Sequence, residues 1–208
     1  MFFYELSLGR FLDPFIFQYG VVPAALFSWP QSGEPLTAVL VPFVTSMFLH
    51  GGWTHLIGNM WYLWIFGDNV EDRLGHLRYL LFYLVCGIGA GIVHTILNAA
   101  TTIPSVGASG AIAGVLGAYL VSYPYARIQT LVWLFIFIQV IEIPALFVLG
   151  FWFIMQFLNG TASLAVATSA NTGGVAWWAH VGGFIIGMVL IGLLARNPRQ
   201  SYGYYTRY

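Results

Sequence analysis

Between residues 53 and 194 the chain returns five times to a long apolar run, at 53–70, 77–97, 110–123, 141–158 and 175–194, with short polar or glycine-containing stretches between them. A helix of about 20 apolar residues matches the roughly 30 Å hydrocarbon core of a bilayer, and lipid admits only elements that satisfy their own backbone hydrogen bonds. The runs predict an all-α polytopic membrane protein with about five spans. Composition agrees. Hydrophobic residues make up 59% of the chain, charged residues 7%, and mean hydropathy is +0.81, against roughly 45–50% apolar and about 25% charged in soluble domains. Seven arginines balance seven acids and there is no lysine, so no nucleic acid or anionic partner is indicated. The single cysteine, Cys86, lies in an apolar run and reads as packing.

The first residues lack a basic segment and are interrupted by Glu5, so a cleavable signal peptide is not expected. Residues 11–50 hold Pro14, Pro23, Pro30, Pro35 and Pro42 with Trp29, which predicts a broken lobe at the membrane interface. Residues 128–140 are apolar but reach only about 20 Å as helix, too short to span alone. Arg73 and Arg78 lie between the first two spans, Arg127 follows the third, and Arg196, Arg199 and Arg207 follow the fifth. The loops at 98–109 and 159–174 carry no charge. The excess of arginine on one side predicts a cytoplasmic C-terminus and an N-terminus outside; the chain is expected to be a multi-pass protein of a prokaryotic plasma membrane.

That parity has a chemical consequence. The first, third and fifth spans run in the same direction, so residues near their starts share one depth. Those residues are polar: His55 and Asn59 at i and i+4 in "HGGWTHLIGNM", Ser109 in "SVGASGAIAGVLG", and His180 in "GVAWWAHVGGF". From Ser109 to Tyr123 is about 22 Å of helix, so Ser109 is expected below the outer surface, at the floor of a water-filled cavity. Gly110, Ala111, Ala113, Gly114 and Gly117 on the third span, with Gly183 and Gly187 on the fifth, let the two helices approach closely enough for His180 to reach Ser109. An imidazole that takes the hydroxyl proton makes serine a nucleophile. No acid lies at that depth, so the pattern supports a Ser–His dyad, its ring held by packing against Trp177 or Trp178. The Ser109 backbone N–H, Asn59 and His55 are the candidate donors to an oxyanion.

"HGGWTHLIGNM", "FGDNVEDRLG", "GASGAIAG" and "AHVGGFIIG", in this order, resemble the rhomboid intramembrane serine proteases over roughly residues 40–195. The resemblance implies a bacterial or archaeal type whose first core helix is missing or truncated. It implies Ser109 as nucleophile, His180 as base, and His55 with Asn59 as oxyanion donors. Gly107 is then the glycine of the family's Gly-x-Ser-Gly, His50 its additional histidine at the outer edge, and Glu71 a structural acid. Ala113 stands where some members stack a tyrosine on the histidine. The implied organisation is an N-terminal stump and interfacial segment at 1–35, a membrane protease domain at 36–195 and a cytoplasmic tail at 196–208. The implied partners are the lipid bilayer and transmembrane helices of other proteins, which the enzyme cuts; no cofactor or metal is expected.

Two other classes compete. A catalytically inactive relative that binds transmembrane helices would have lost Ser109 or His180, and both are present. A metal site of His50, His55 and His180 lacks a His-Glu-x-x-His motif or an outer-side carboxylate. The fourth span, from about Pro144, and the small polar loop "NGTASLAVATSANTGG" are expected to form a gate over the site. His76 and His94 read as structural.

Overall fold

A computed structural model of the protein describes residues 1–134, 137–166 and 175–195. The element order is α1 (Phe2–Ser7), α2 (Leu12–Tyr19), α3 (Pro23–Ser32), α4 (Thr37–Leu40), α5 (Pro42–Thr45), α6 (Trp53–Leu74), α7 (His76–Leu97), α8 (Ser109–Ser122), β1 (Arg127–Leu134), β2 (Phe137–Pro144), α9 (Ala145–Val166) and α10 (Trp177–Leu194). It is a helical membrane bundle, as the apolar runs predict. Among the described residues three helices, α7, α9 and α10, are long and apolar enough to cross a membrane. Helix α6 is as long as α7 but carries Asp68, Glu71, Asp72 and Arg73 in its last two turns, and α8 has only 14 residues.

Helix α8 is the centre of the bundle, buried without a break from Gly110 to Tyr119. Its most extensive contact is with α10, and α7 and α6 close its other sides. Between membrane helices the gain comes from close van der Waals approach rather than from expulsion of water, so small residues set the contact. A Cβ on Gly183 would fall on the Gly110 carbonyl oxygen, one on Gly187 on the Gly114 carbonyl oxygen, and one on Gly117 on the Phe184 carbonyl oxygen. Helix α7 closes in beside the same contact: a Cβ at Gly110 would stand 2.7 Å from that of Ala90, and one at Gly114 2.5 Å from that of Cys86. Buried Cys86 is thus a packing residue, as its apolar setting suggests.

Arginine marks one end of the bundle. The Arg73 guanidinium stands 5.7 Å over the Tyr123 ring, joining the ends of α6 and α8. Arg78 Nη1 donates to the Leu194 carbonyl at 3.4 Å, joining the start of α7 to the end of α10. The starts of α6, α8 and α10 therefore lie together at the other end.

Two features depart from the sequence reading and a third extends it. Residues 127–134 and 137–144 form two antiparallel strands, Arg127 paired with Pro144 and Leu134 with Phe137, so the apolar run that opens at 141 becomes helix only from Ala145, next to Pro144. Helix α9 continues to Val166, into the segment read as a loop; the rest of that loop, and its expected role as a cap, lie outside the described residues. The N-terminal lobe is a chain of short helices in which Pro23 and Pro42 occupy first turns, where their missing N–H costs nothing. It is also tied to the bundle. Val21 and Ser105 exchange backbone hydrogen bonds of 3.0 and 2.7 Å, the Ala24 N–H donates to the Thr101 carbonyl at 2.9 Å, and the Gly107 N–H donates to the Ser46 carbonyl at 2.9 Å. The lobe thereby holds the loop that leads into α8.

The glycine contact yields a stability prediction. Gly187→Val drives a side chain into backbone that has no rotamer to give, so it should lower the melting temperature in detergent by several degrees, for a cost of about 1–3 kcal/mol or more. Nothing lies within 4 Å of a Cβ at Gly192, so Gly192→Ala should melt at or above the wild-type temperature; equal melting of the two variants would contradict the packing account.

Candidate active site

The glycine register between α8 and α10 decides which side chains meet. Ser109 precedes Gly110 by one residue and His180 precedes Gly183 by three, so seating Gly183 on Gly110 sets the hydroxyl beside the imidazole. The Ser109 Oγ lies 2.8 Å from His180 Nε2. The other ring nitrogen, Nδ1, lies 2.8 Å from Gln156 Oε1 on α9. An amide oxygen only accepts, so Nδ1 carries the proton and Nε2 is free to accept from the serine. The ring is thereby held in the tautomer that can take a hydroxyl proton.

Gln156 was missed by the sequence reading, which looked to Trp177 or Trp178 for this task. Trp178 instead packs against Phe157, with ring centroids 5.8 Å apart, and Trp177 meets His180 edge-on at 6.4 Å. The indole that covers the imidazole face is Trp152, 5.8 Å away at 33°, one turn before Gln156 on the same face of α9. The signal was available: Gln156 is the only amide, hydroxyl or charged side chain in the stretch 145–158, and an intramembrane polar residue defaults to function.

Across the cavity from His180 stand His55 and Asn59 of α6. The Gly51 N–H donates to His55 Nδ1 at 3.2 Å, which puts the proton on Nε2. That nitrogen faces Gly107, where an added Cβ would come within 2.6 Å of it and 3.7 Å of Asn59 Nδ2. Gly107 has φ +126°, a conformation that side chains resist, so glycine is required there on two counts. Buried Asn59 Nδ2 has no hydrogen-bond partner among the described residues. The first bonded amide of α8 is that of Ile112, on the Ala108 carbonyl, so the Ser109 N–H is one of the free donors of a helix start. Three donors thus border one small space beside the Ser109 hydroxyl.

The space opens into a cavity of about 880 Å³ whose walls include Ser109, His180, His55, Asn59, Tyr62 and Trp152. His50, the remaining candidate, is buried with its ring 5.3 Å from that of His55, and neither of its ring nitrogens has a partner among the described residues. Burial, and then its histidine neighbour, push its pKa down to about 4, so the ring is neutral at neutral pH. His94 is bonded to Asn98 and His76 to Glu71, away from the cavity. Among the described residues no three histidine, cysteine or acidic side chains are grouped to hold a metal ion.

Residues 37–197 match the Rhomboid domain family. The chain is 32% identical to rhomboid-like protein 11, chloroplastic, of Arabidopsis thaliana over 167 residues, which cover 76% of this chain and 54% of that protein. It is 30% identical to rhomboid protein 1, mitochondrial, of Saccharomyces cerevisiae over 153 residues, 72% of this chain and 40% of that one. It is 28% identical to the mouse presenilin-associated rhomboid-like protein, mitochondrial, over 166 residues, 76% and 39% of the two chains. The matched region is about half or less of each of these relatives. Their names correct one expectation: chloroplastic and mitochondrial relatives point to organellar membranes rather than to a prokaryotic plasma membrane.

The amide of Gln156 sets the His180 tautomer, which makes a spectroscopic prediction. In protein labelled with ¹⁵N-histidine, His180 should show a protonated Nδ1 and an unprotonated Nε2, and Gln156→Leu should convert it to a mixture of tautomers. A variant spectrum identical to the wild type would remove Gln156 from this role.

Proposed function

The chain belongs to the rhomboid family, and from that premise we propose that it is an intramembrane serine endopeptidase that cuts transmembrane segments of other membrane proteins. The observation that carries the reading is the 2.8 Å contact between Ser109 Oγ and an imidazole whose far nitrogen is held by Gln156. On this reading residues 36–195 are the protease domain. Its substrate is a transmembrane helix that enters the cavity from the bilayer, unwinding most easily where it carries Gly or Pro.

The chemistry follows from the positions of the protons. His180 Nε2 takes the hydroxyl proton as Ser109 Oγ attacks the scissile carbonyl carbon. The carbonyl oxygen becomes an oxyanion, which accepts hydrogen bonds from His55 Nε2–H, Asn59 Nδ2–H and the Ser109 N–H. These donors are fixed in place before the charge develops, so little reorganisation is needed when it does. As the carbon–nitrogen bond breaks, the imidazolium returns the proton from Nε2 to the leaving amine and Ser109 is left as an acyl ester. A water from the cavity then gives a proton to His180 and its oxygen attacks the ester, releasing the new carboxyl end and restoring Ser109. The imidazolium has no carboxylate beside it; the neutral Gln156 oxygen supports it, with the Trp152 face alongside.

The test is cleavage of a fluorescent transmembrane substrate by protein reconstituted in liposomes, compared at equal folded protein. Ser109→Ala and His180→Ala should each fall to background, the double variant should be no worse than either, and both should fold normally. Asn59→Ala removes one oxyanion donor of three and should slow cleavage by up to roughly 10²–10³-fold. Near-wild-type cleavage by Ser109→Ala would overturn the protease reading. Substrate helices bound but uncut by the wild type would favour an inactive helix-binding relative instead.

A further inference from the structure

Helix α1 carries a buried carboxyl for which the reaction has no use. Glu5 is only 2% exposed, and its Oε2 accepts a hydrogen bond of 3.1 Å from the backbone N–H of His50. Three residues earlier, Phe2 packs edge-to-face on Trp53, the first residue of α6, with ring centroids 4.9 Å apart. Helix α1 therefore grips the chain on both sides of a two-glycine link, Gly51–Gly52.

That link controls His55. Gly51 supplies the N–H that fixes the His55 tautomer, and it directly follows the residue that Glu5 holds. Gly52 has φ +149° and nothing within 4 Å of where a Cβ would stand, so no neighbour restrains the link from that side. Within the link the Gly51 N–H is bonded to His55 Nδ1 and the Gly52 carbonyl accepts from the Leu56 N–H at 3.0 Å, so its pliable glycine backbone is set by those bonds together with the ends that α1 holds. We propose that Glu5 is a positioning residue for His55: by holding the His50 amide it presents the Gly51 N–H to His55 Nδ1, which keeps Nε2–H aimed at the space beside Ser109. The inference rests on the protease reading for its effect on rate, but not for its effect on the link. The role needs an acceptor and not a charge. Burial raises the Glu5 carboxyl above the usual carboxylate pKa, and Oε2 accepts in either protonation state.

Glu5→Met keeps length and apolar fit but removes the acceptor, while Glu5→Gln keeps an acceptor in the same place. In the full chain, reconstituted, Glu5→Met should lower kcat about 10-fold with KM unchanged, a part of the roughly 10²–10³-fold loss expected when an oxyanion donor is removed outright. Glu5→Gln should restore wild-type kcat. Hydrogen exchange of the segment 49–54 should quicken in Glu5→Met and not in Glu5→Gln. Unchanged exchange and kcat in Glu5→Met would overturn the inference, as would a change confined to KM, or a Glu5→Gln variant as slow as Glu5→Met. Ser109→Ala in the same assay separates the two claims: if it still cleaves, the protease reading fails, and the exchange comparison alone then decides the role of Glu5.

Discussion

The bundle depends on one contact, the backbone-to-backbone approach of α8 and α10. Each of Gly183 and Gly187 lies against a carbonyl of α8, and Gly117 lies against one of α10, so at these points the two helices touch through main chain alone. No larger residue fits at any of them. The 2.8 Å distance between Ser109 Oγ and His180 Nε2 is a consequence of that register. Glycine is a poor helix former in water, yet it is the residue that allows this approach. In lipid the approach itself is the main source of association.

Around this contact the polar atoms form short chains in which each group sets the next. Gln156 holds His180 Nδ1, which leaves Nε2 for Ser109. Glu5 holds the His50 amide and Gly51 holds His55 Nδ1, which leaves Nε2–H for the oxyanion space. Both imidazoles are thereby fixed in opposite tautomers, one to accept a proton and one to donate a hydrogen bond. Buried polar groups without partners are costly, and Asn59 Nδ2 is one such group. On the protease reading its position beside Gly107 accounts for the cost: the donor is kept free for a charge that exists only during reaction.

Much of this could be read from residue order. The small-residue stripes on α8 and α10 and the common depth of His55, Asn59, Ser109 and His180 follow from helix length, glycine spacing and the placement of arginines. Partners separated in sequence by an irregular path could not be read that way. Nothing in the sequence ties Glu5 to His50, because the contact depends on how the short N-terminal helices fold back, and proline spacing predicts breaks but not directions. The strands at 127–134 and 137–144 were hidden because the sequence between Arg127 and Ile143 has no Gly, Asn, Asp or Pro to mark a break. Gln156 was legible as the first amide side chain of an apolar helix, but its partner depends on how α9 is rotated, which composition leaves open. The membrane of residence was misjudged because arginine bias reports sidedness and not the compartment.

The central claim is that the α8–α10 contact makes one serine a nucleophile. The most direct measurement is labelling of the reconstituted protein with a fluorophosphonate, in the presence of a chelator, followed by peptide mass spectrometry. The account predicts a single adduct, on Ser109, formed at an unchanged rate with chelator and lost when His180 is replaced by alanine. An adduct elsewhere with Ser109 unmodified, or labelling of Ser109 undiminished in His180→Ala, would contradict it.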